Sequence, residues 1–318
     1  MTKRITIVGG SGFVGRSIVK QAVAAGYQVT VACRHPERAR ALLVHGVQLV
    51  AVDIMNGRGL DAAVAGADSV INLVGLLFER GRYTFAATHV QGTEHLLAAC
   101  QRQQVRQYLH MSALGAGRVP ASLYAQSKAE AETRVRQSSL AWTIFQPSII
   151  YGAGDDFFNK FRKLASMLPV LPVVAAGTRF QPIWVEDVAH AFVASIGNRH
   201  VASQTYELAG KRIYSMQAMM QLLLDQLDPK QCKPHLLSVP TPFAKLLATL
   251  SALLPTPIIT ADQLTLLQHD NIAKGEPYPQ FFGTTAELEA ILPTYIQGDQ
   301  AARLQHRFDA ARSQRGIR

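Results

Sequence analysis

A run of glycines between a short apolar strand and a helix constrains this chain more than any other feature. Residues 5–8, ITIV, form a β-branched run typical of a buried parallel strand. The loop follows directly and consists of Gly9, Gly10, Ser11, Gly12, Phe13, Val14 and Gly15. Glycine at 9 or 10 permits a tight turn, glycine at 12 lets the backbone approach a pyrophosphate, and glycine at 15 lets the next helix pack close to the strand. The stretch therefore predicts a dinucleotide-binding βαβ unit whose helix N-terminus faces the anion.

A cation follows the second strand of this unit. After the strand-like run at residues 28–33, Arg34 stands where an Asp or Glu would bind the ribose 2′-hydroxyl of NAD. A guanidinium can pair with a 2′-phosphate through two hydrogen bonds. Arg34 therefore predicts a preference for NADP(H), with Arg38 as a second candidate contact and NAD(H) as the less favoured cofactor. The alternatives are that Arg34 is simply solvated, or that Glu37 supplies the acidic group.

Composition limits the classes of protein and partner. The chain has 318 residues, of which 48% are hydrophobic and 17% charged, enough for a large core in one large or two modest domains. Its net charge of +10 favours an anionic cofactor, an acidic partner or an anionic membrane surface. Nucleic acid is not expected, because the sequence has no basic helix with interleaved aromatics and no zinc-finger spacing. Three isolated cysteines, and ten histidines without regular ligand spacing, argue against disulfides and a metal site.

Strand and helix signals alternate, which predicts an α/β fold with a doubly wound parallel Rossmann sheet. Further strands are expected at residues 47–52, 69–74, 107–111 and 143–150, and helices at residues 36–45, 60–65, 83–103 and 124–137. We assign residues 1–155 to an NAD(P)-binding domain and residues 156–318 mostly to a smaller C-terminal substrate or docking lobe. The chain is expected to return to the sheet side near residues 180–210, through strand-like runs at 183–185 and 205–208.

Two segments bear on the location of the protein. Lys3 and Arg4 lead straight into the first strand without a cleavage-type region, so we expect a cytoplasmic protein. Residues 243–254, FAKLLATLSALL, are apolar but too few for a bilayer, which needs about 20 residues. This segment is either a helix packed on the small lobe or an interfacial patch that attaches the protein peripherally to the inner face of the membrane.

A tyrosine and a lysine form a second candidate centre. Tyr124 and Lys128 are four residues apart on a predicted helix and therefore share a face. A lysine there can stabilise a tyrosinate, lower the pKa of the phenol and make it a usable general acid or base. Lys128 could also bind the nicotinamide ribose. The pair follows a strand that ends at Met111, at the sheet edge where ligands bind, although a solvated helix pair is the alternative.

At this point the chain resembles the extended or atypical branch of the short-chain dehydrogenase/reductase superfamily. The resemblance rests on Gly9-x-x-Gly12-x-x-Gly15, Val52-Asp53-Ile54, Asn72-Leu73-Val74-Gly75, Ser112, Tyr124-x-x-x-Lys128, Pro147-Ser148-Ile149-Ile150-Tyr151-Gly152 and Trp184-Val185-Glu186-Asp187-Val188-Ala189. More narrowly, YAQSKAEAE, QPSIIYGAGDDFFNKF and the run at residues 258–272 are similar to the family of the NADPH-binding accessory subunit of respiratory complex I and its bacterial relatives.

The resemblance implies positions for further cofactor contacts. Asp53 and Ile54 would lie by the adenine, and Val74 and Gly75 along the cofactor. Four residues would lie near the nicotinamide: Pro147, Ser148, Ile149 and Ile150.

Three departures from the family pattern weaken the inference of catalysis. His89 replaces a usual Asn, Ala113 a frequent Ser or Thr, and Gln146 a usual Arg. We expect His89 to be a buried, hydrogen-bonded helix residue rather than a catalyst. Gln146 removes a cation and makes an anionic nucleotide-sugar substrate less favoured.

Three functions remain open from the sequence. The first is NADPH-dependent reduction of a small apolar carbonyl or quinone-related substrate, with Tyr124 as proton donor, Lys128 assisting and Ser112 polarising the carbonyl. The second is a non-catalytic module, stabilised by NADPH, that docks on a membrane or respiratory complex. The third is a nucleotide-sugar epimerase or dehydratase.

Overall fold

A seven-stranded parallel sheet forms the centre of the protein. The computed structural model describes residues 3–227, 234–240, 243 and 259–296. The strands are β1 (Arg4–Val8), β2 (Gln28–Cys33), β3 (Gln48–Ala51), β4 (Ser69–Asn72), β5 (Gln107–Met111), β6 (Ala141–Pro147) and, later in the chain, β11 (Gln204–Leu208). Their order is β11-β6-β5-β4-β1-β2-β3, and each neighbouring pair is parallel. The expected doubly wound Rossmann sheet is confirmed.

Helices cover both faces of the sheet. The helices on the sheet are α1 (Phe13–Ala24), α2 (Leu60–Val64), α3 (Gly92–Arg102), α4 (Leu123–Gln137) and α6 (Val185–Ser195). The helices α5 (Phe157–Ala165), α7 (Met216–Asp225), α8 (Ala261–Leu267) and α9 (Leu288–Ile296) pack in the smaller lobe described below. Successive strand residues alternate between the faces: Leu109 packs in the core with α1 and α6, and Tyr108 in the core with α2 and α3. Strands buried on both faces explain the continuous apolar runs in the sequence.

A smaller lobe follows the carboxyl end of β6. Its strands are β7 (Ile150–Tyr151), β8 (Val170–Val174), β9 (Arg179–Phe180), β10 (Ile183–Trp184), β12 (Tyr214–Ser215) and β13 (His235–Val239). They pair two by two, β7 with β10, β8 with β13 and β9 with β12. Phe158 of α5, Met220 of α7 and Leu292 of α9 share one buried cluster with the inward face of β8. The lobe therefore has a core of its own beside the sheet.

Several local expectations differ from the structure. The run at 205–208 returns to the sheet as β11, but Ile183–Trp184 pairs with β7 instead, because it crosses into the small lobe. Residues 36–45 form a 3₁₀ helix, and the helix expected over residues 83–103 begins as a π-helix at Ala86–Gln91. The apolar run at 243–254 lies outside the described residues except for Phe243.

Membrane-spanning helices and metal-binding clusters are both lacking among the described residues. None of the helices in the described part of the chain combines the length and apolar character needed to cross a bilayer. Within residues 3–227, 234–240, 243 and 259–296, no three His, Cys, Asp or Glu side chains group in a way that could bind a metal ion.

Candidate dinucleotide site and adjoining centre

The glycine loop forms a tight turn between β1 and α1. Gly9 has a φ of 85° and donates its N–H to the Ala32 carbonyl at 2.9 Å, while Gly12 donates to the Gly9 carbonyl at 3.0 Å. A Cβ at position 15 would lie 2.5 Å from the Gly10 Cα, so any side chain would push α1 away from the turn. Gly12 caps α1 without a side-chain hydrogen bond, which leaves the first-turn N–H groups available to an anion.

A cleft of about 240 Å³ opens beside this turn, at the carboxyl ends of β1, β2, β3 and β4. It brings together many of the residues expected at a cofactor site: Gly9, Ser11, Gly12, Arg34, Asp53, Ile54, Val74 and Gly75. The other residues of the glycine loop support the turn, since Val14 and Gly15 are buried in α1 and Phe13 packs against the same core. The cleft wall also contains residues that the sequence did not single out: Cys33, Met55, Leu76, Tyr83 and Thr88.

Arg34 forms the cationic wall of the cleft. Its side chain is exposed, and its Cζ lies 4.8 Å from the centre of the Tyr83 ring. No carboxylate of the described chain forms an ion pair with Arg34. Glu37, the acidic alternative, instead places its Oε1 3.0 Å from His35 Nδ1. Arg38 is exposed on the 3₁₀ helix and does not line the cleft.

Asp53 also lines the cleft and is mostly buried. Its Oδ1 accepts a hydrogen bond from the Met55 N–H at 3.1 Å, and its Oδ2 lies 3.7 Å from an Arg82 nitrogen. One carboxylate oxygen therefore fixes the turn after β3, and the other faces the exposed guanidinium of Arg82.

His89 lies beneath the cleft in the π-helix. Its Nε2 accepts the Leu76 N–H at 2.9 Å, so the proton of the neutral ring is on Nδ1, which donates to Ser127 Oγ at 2.8 Å. Burial, with a further contribution from the charge of Lys128, lowers the pKa of His89 to about 2. The expectation of a buried, hydrogen-bonded histidine is confirmed, and both ring nitrogens are engaged.

Lys128 is buried directly below Gly75. Its Nζ donates to the Met111 carbonyl at 3.2 Å, and a Cβ on Gly75 would lie 3.3 Å from that nitrogen. Burial lowers the pKa of Lys128 to about 8, and the carboxylate of Glu132 opposes this shift. Glu132 is itself buried and accepts hydrogen bonds from Arg136 at 2.7 Å and from Gln146 at 2.6 Å. The amide of Gln146, at the position of the usual Arg, is thus engaged by α4.

Tyr124 is half-buried, with its ring edge-on to Phe85 and His89 at centroid distances of 5.7 and 5.6 Å. The pKa of Tyr124 is raised to about 12, first by burial and then by the negative charge of Asp262. The expectation that Lys128 lowers this pKa is wrong. The lysine ammonium is bonded to the Met111 carbonyl, and the ring packs in a largely apolar environment.

Ser112 follows β5 and carries an unpaired hydroxyl. Its N–H donates to the Phe145 carbonyl at 2.7 Å, but its buried Oγ has no hydrogen-bond partner among the described residues. Thr88 Oγ1 is also buried without a partner there, and Thr88 lines the cleft. Unpaired buried hydroxyls are costly, and a ligand can satisfy them. Sequence reasoning missed Thr88, whose only signal was its place beside the altered position His89.

The segment expected near the nicotinamide is tied to the C-terminal part of the chain. Ser148 Oγ donates to Asn271 Oδ1 at 2.7 Å, and Asn271 Nδ2 donates to the Leu114 carbonyl at 2.8 Å. Pro147 accepts the Leu114 N–H, and Ile149 and Ile150 are half-buried. The hydroxyl of Ser148 therefore faces Asn271, and neither it nor Pro147, Ile149 or Ile150 lines the cleft.

Comparison with known proteins identifies the family. A profile described as NAD(P)H-binding matches residues 9–162, and one described as RmlD substrate binding domain matches residues 101–249. Mitochondrial NADH dehydrogenase (ubiquinone) 1 alpha subcomplex subunit 9 of Arabidopsis thaliana is 30% identical over 284 residues, 84% of this chain and 70% of that protein. The chain belongs to the extended short-chain dehydrogenase/reductase family that includes this subunit. The resemblance inferred from the motifs is confirmed.

Two other proteins are similar to this chain, one in sequence and one in fold. A ceramide reductase of Caulobacter vibrioides is 31% identical over 190 residues, which make up 60% of each protein. The crystal structure of an NADPH-dependent quinone oxidoreductase from Escherichia coli, in complex with NADPH, has a TM-score of 0.73 at 17% identity. The match covers 92% of this chain and 98% of that one, and it concerns the fold alone.

Proposed function

We propose that this protein binds NADP(H) in the cleft and reduces a small apolar carbonyl or quinone-related substrate. The observation that carries the proposal is the unpaired, buried Ser112 hydroxyl at the carboxyl end of β5, together with the half-exposed Tyr124 on the helix that follows. A buried hydroxyl left without a partner at the carboxyl end of a parallel strand, the edge where ligands bind, is suited to donate to a substrate oxygen.

The cofactor assignment rests on the donor groups around the cleft. The N–H groups at the start of α1 would bind the pyrophosphate, and Arg34, without a carboxylate partner in the described chain, would bind the 2′-phosphate of NADP(H). Thr88 Oγ1 offers a further hydroxyl in the same wall. The family resemblance implies that the nicotinamide would lie near the end of β6 and the residues after it: Pro147, Ser148, Ile149 and Ile150.

The chemistry requires a hydride and a proton. NADPH, when bound, would be the source of the hydride for the carbonyl carbon and would be oxidised to NADP⁺. Tyr124, protonated at neutral pH because its pKa is raised to about 12, gives its hydroxyl proton to the carbonyl oxygen and then regains one from solvent. Ser112 donates a hydrogen bond to the same oxygen. Lys128, attached to the Met111 carbonyl, would use its remaining N–H bonds to orient the ribose.

A second candidate function is an accessory module in which bound NADPH stabilises the fold without turnover. The similarity to a named complex I subunit favours it. In this case the protein would associate with a respiratory complex, peripherally at the inner face of the membrane. An epimerase or dehydratase is less favoured, because the amide of Gln146 is bonded to Glu132 and supplies no cation.

One experiment separates these candidates. The purified protein is analysed for its bound nucleotide, and oxidation of NADPH is followed with a panel of quinones and hydrophobic ketones. Reduction of at least one acceptor, and its loss in Tyr124→Phe, is the result expected of a reductase. Bound NADPH that resists every acceptor, in a protein that co-migrates with a membrane complex, would replace the reductase by the accessory module.

A further inference from the structure

A C-terminal segment crosses the carboxyl ends of the central strands. We call residues 260–271 the strap. It begins with a capping box, in which Thr260 Oγ1 accepts the Gln263 N–H and Gln263 Oε1 accepts the Thr260 N–H, and continues as α8. Gln263 Nε2 donates to the Leu77 carbonyl after β4, and Asn271 contacts Leu114 after β5 and Ser148 after β6. The strap therefore joins three loops that border the proposed reaction centre.

Asp262 of the strap binds the start of the helix that carries Tyr124. Its Oδ1 accepts the Leu123 N–H at 2.7 Å, and its Oδ2 accepts the Ser122 hydroxyl at 2.9 Å and the Tyr124 N–H at 3.4 Å. Ser122 is also the N-cap of α4, since its Oγ accepts the Ala125 N–H at 3.1 Å. A carboxylate from a segment 138 residues away thus occupies the N-terminus of α4, where a negative charge is most favourable.

The Tyr124 backbone is itself one of the groups that Asp262 contacts. A shift of the first turn of α4 would consequently move the phenol directly, whereas Lys128 lies one turn further on and is anchored independently at the Met111 carbonyl. Among the described residues, the titratable His89 also contacts the Tyr124 ring, at a centroid distance of 5.6 Å, and it is neutral and hydrogen-bonded at both ring nitrogens.

We propose that Asp262 is a positioning residue for Tyr124: by binding the first turn of α4 it fixes the place of the phenol, so that the substrate lobe completes the reaction centre. This role rests on the proposed reductase function. The strap belongs to the smaller lobe, because Leu264 packs against Val174 of β8 and Val239 of β13. In this scheme the lobe that admits the substrate also orients the proton donor. Asp262 touches neither cofactor nor substrate in this scheme and acts only through α4.

The test combines kinetics with a signal from Tyr124 itself. Asp262→Ala, Asp262→Asn and Asp262→Glu are compared with Asp270→Asn, which breaks a different strap contact, the 2.6 Å pair with Arg179. In Asp262→Ala we expect kcat to fall by about 100-fold, the loss that a displacement of about 1 Å can cause, with the KM for NADPH nearly unchanged. Asp262→Glu should restore part of the rate, and Asp270→Asn should resemble the wild type.

The second readout does not depend on turnover. All tyrosines are replaced by 3-fluorotyrosine, and the ¹⁹F resonance of Tyr124 is assigned from its absence in Tyr124→Phe. We expect this resonance to move in Asp262→Ala and Asp262→Asn and to stay in place in Asp270→Asn. Circular dichroism shows whether Asp262→Ala folds; if it does not, Asp262→Asn carries the test.

The two readouts distinguish failure of this inference from failure of the proposed function. An unmoved Tyr124 resonance in a folded Asp262 variant overturns the positioning role, whether or not the protein reduces any acceptor. A resonance that moves in a protein without turnover supports the positioning of Tyr124 and removes the reductase. If Asp270→Asn lost as much rate as Asp262→Ala, the loss would come from a general weakening of the strap. That result would overturn the specific role of Asp262.

Discussion

Replacing Arg34 by Ala tests the cofactor preference most directly. Arg34 has no carboxylate partner among the described residues, so its guanidinium needs to break no ion pair before it binds a phosphate. A hydrogen bond to a charged group contributes about 1.5–3 kcal/mol, and the exposure of Arg34 places its contribution near the lower end. About 1.5–2 kcal/mol corresponds to a change in Kd of about 10- to 30-fold.

We therefore expect the Kd for NADPH to rise about 10- to 30-fold in Arg34→Ala, while the Kd for NADH, which lacks the 2′-phosphate, changes by less than about 3-fold. Isothermal titration at two salt concentrations measures both constants, and the loss for NADPH should shrink at high salt. The affinity of Arg34→Lys for NADPH should fall between those of Arg34→Ala and the wild type, because an ammonium retains the charge but loses the guanidinium contact with the Tyr83 ring.

Arg38→Ala is the matched control for the charge. Arg38 is also exposed and lies four positions further along, but it does not line the cleft. We expect it to change the Kd for NADPH by less than about 3-fold, as for a distant exposed charge. Equal affinity of the wild type for NADPH and NADH, or equal loss in the two alanine variants, would refute the role of Arg34.

Three further changes test the site and the core beneath it. Gly15→Ala should lower the free energy of unfolding and weaken NADPH binding, whereas Gly177→Ala, with no atom within 4 Å of the new Cβ, should change thermal unfolding little. Tyr124→Phe should keep its NADPH affinity in titration but lose turnover. Below pH 6.5 the free energy of unfolding, measured by urea titration, should decrease less steeply with falling pH in His89→Asn than in the wild type. The slopes should differ by up to about 1.4 kcal/mol per pH unit. An unchanged slope would contradict the burial of a neutral ring.

The sign of the His89 effect follows from linkage. Burial lowers the pKa of His89 to about 2 in the folded protein, so between that value and the ordinary histidine pKa the unfolded chain binds the proton and the native chain does not. Stability is then fully present above the unfolded pKa and falls as the pH drops below it. His110, whose pKa burial lowers to about 3, contributes in the same direction and remains in the variant.

The sequence was most informative where local pattern decides the structure. The strands Gln28–Cys33 and Gln107–Met111 have the predicted bounds. Each is a short, mostly apolar run whose residues are buried on both faces of the sheet. The role of Gly15 could also be inferred, since close packing of α1 on the turn depends on residues only five or six positions away.

Long-range contacts account for what the sequence could not predict. The carboxylate of Asp262 reaches Tyr124 across 138 positions, and no periodicity within either segment indicates that contact. Burial, and after it the charge of Asp262, raises the pKa of Tyr124, whereas the spacing from Lys128 alone suggested the opposite direction. The hydrogen bond between Gln146 and Glu132 could not be predicted either, because it depends on the packing of α4 against β6.

The protonation of Tyr124 also separates the candidate reactions by direction. Reduction of a carbonyl needs a neutral phenol that donates a proton, whereas oxidation of an alcohol, the first step in a nucleotide-sugar epimerase, needs a tyrosinate that accepts one. With its pKa raised to about 12, Tyr124 is almost entirely protonated at pH 7. Very little tyrosinate is therefore present to accept a proton during oxidation, whereas nearly every Tyr124 phenol can donate one during reduction. The environment that made the tyrosinate unfavourable therefore supports reduction over the epimerase, provided that a substrate oxygen reaches both Tyr124 and Ser112.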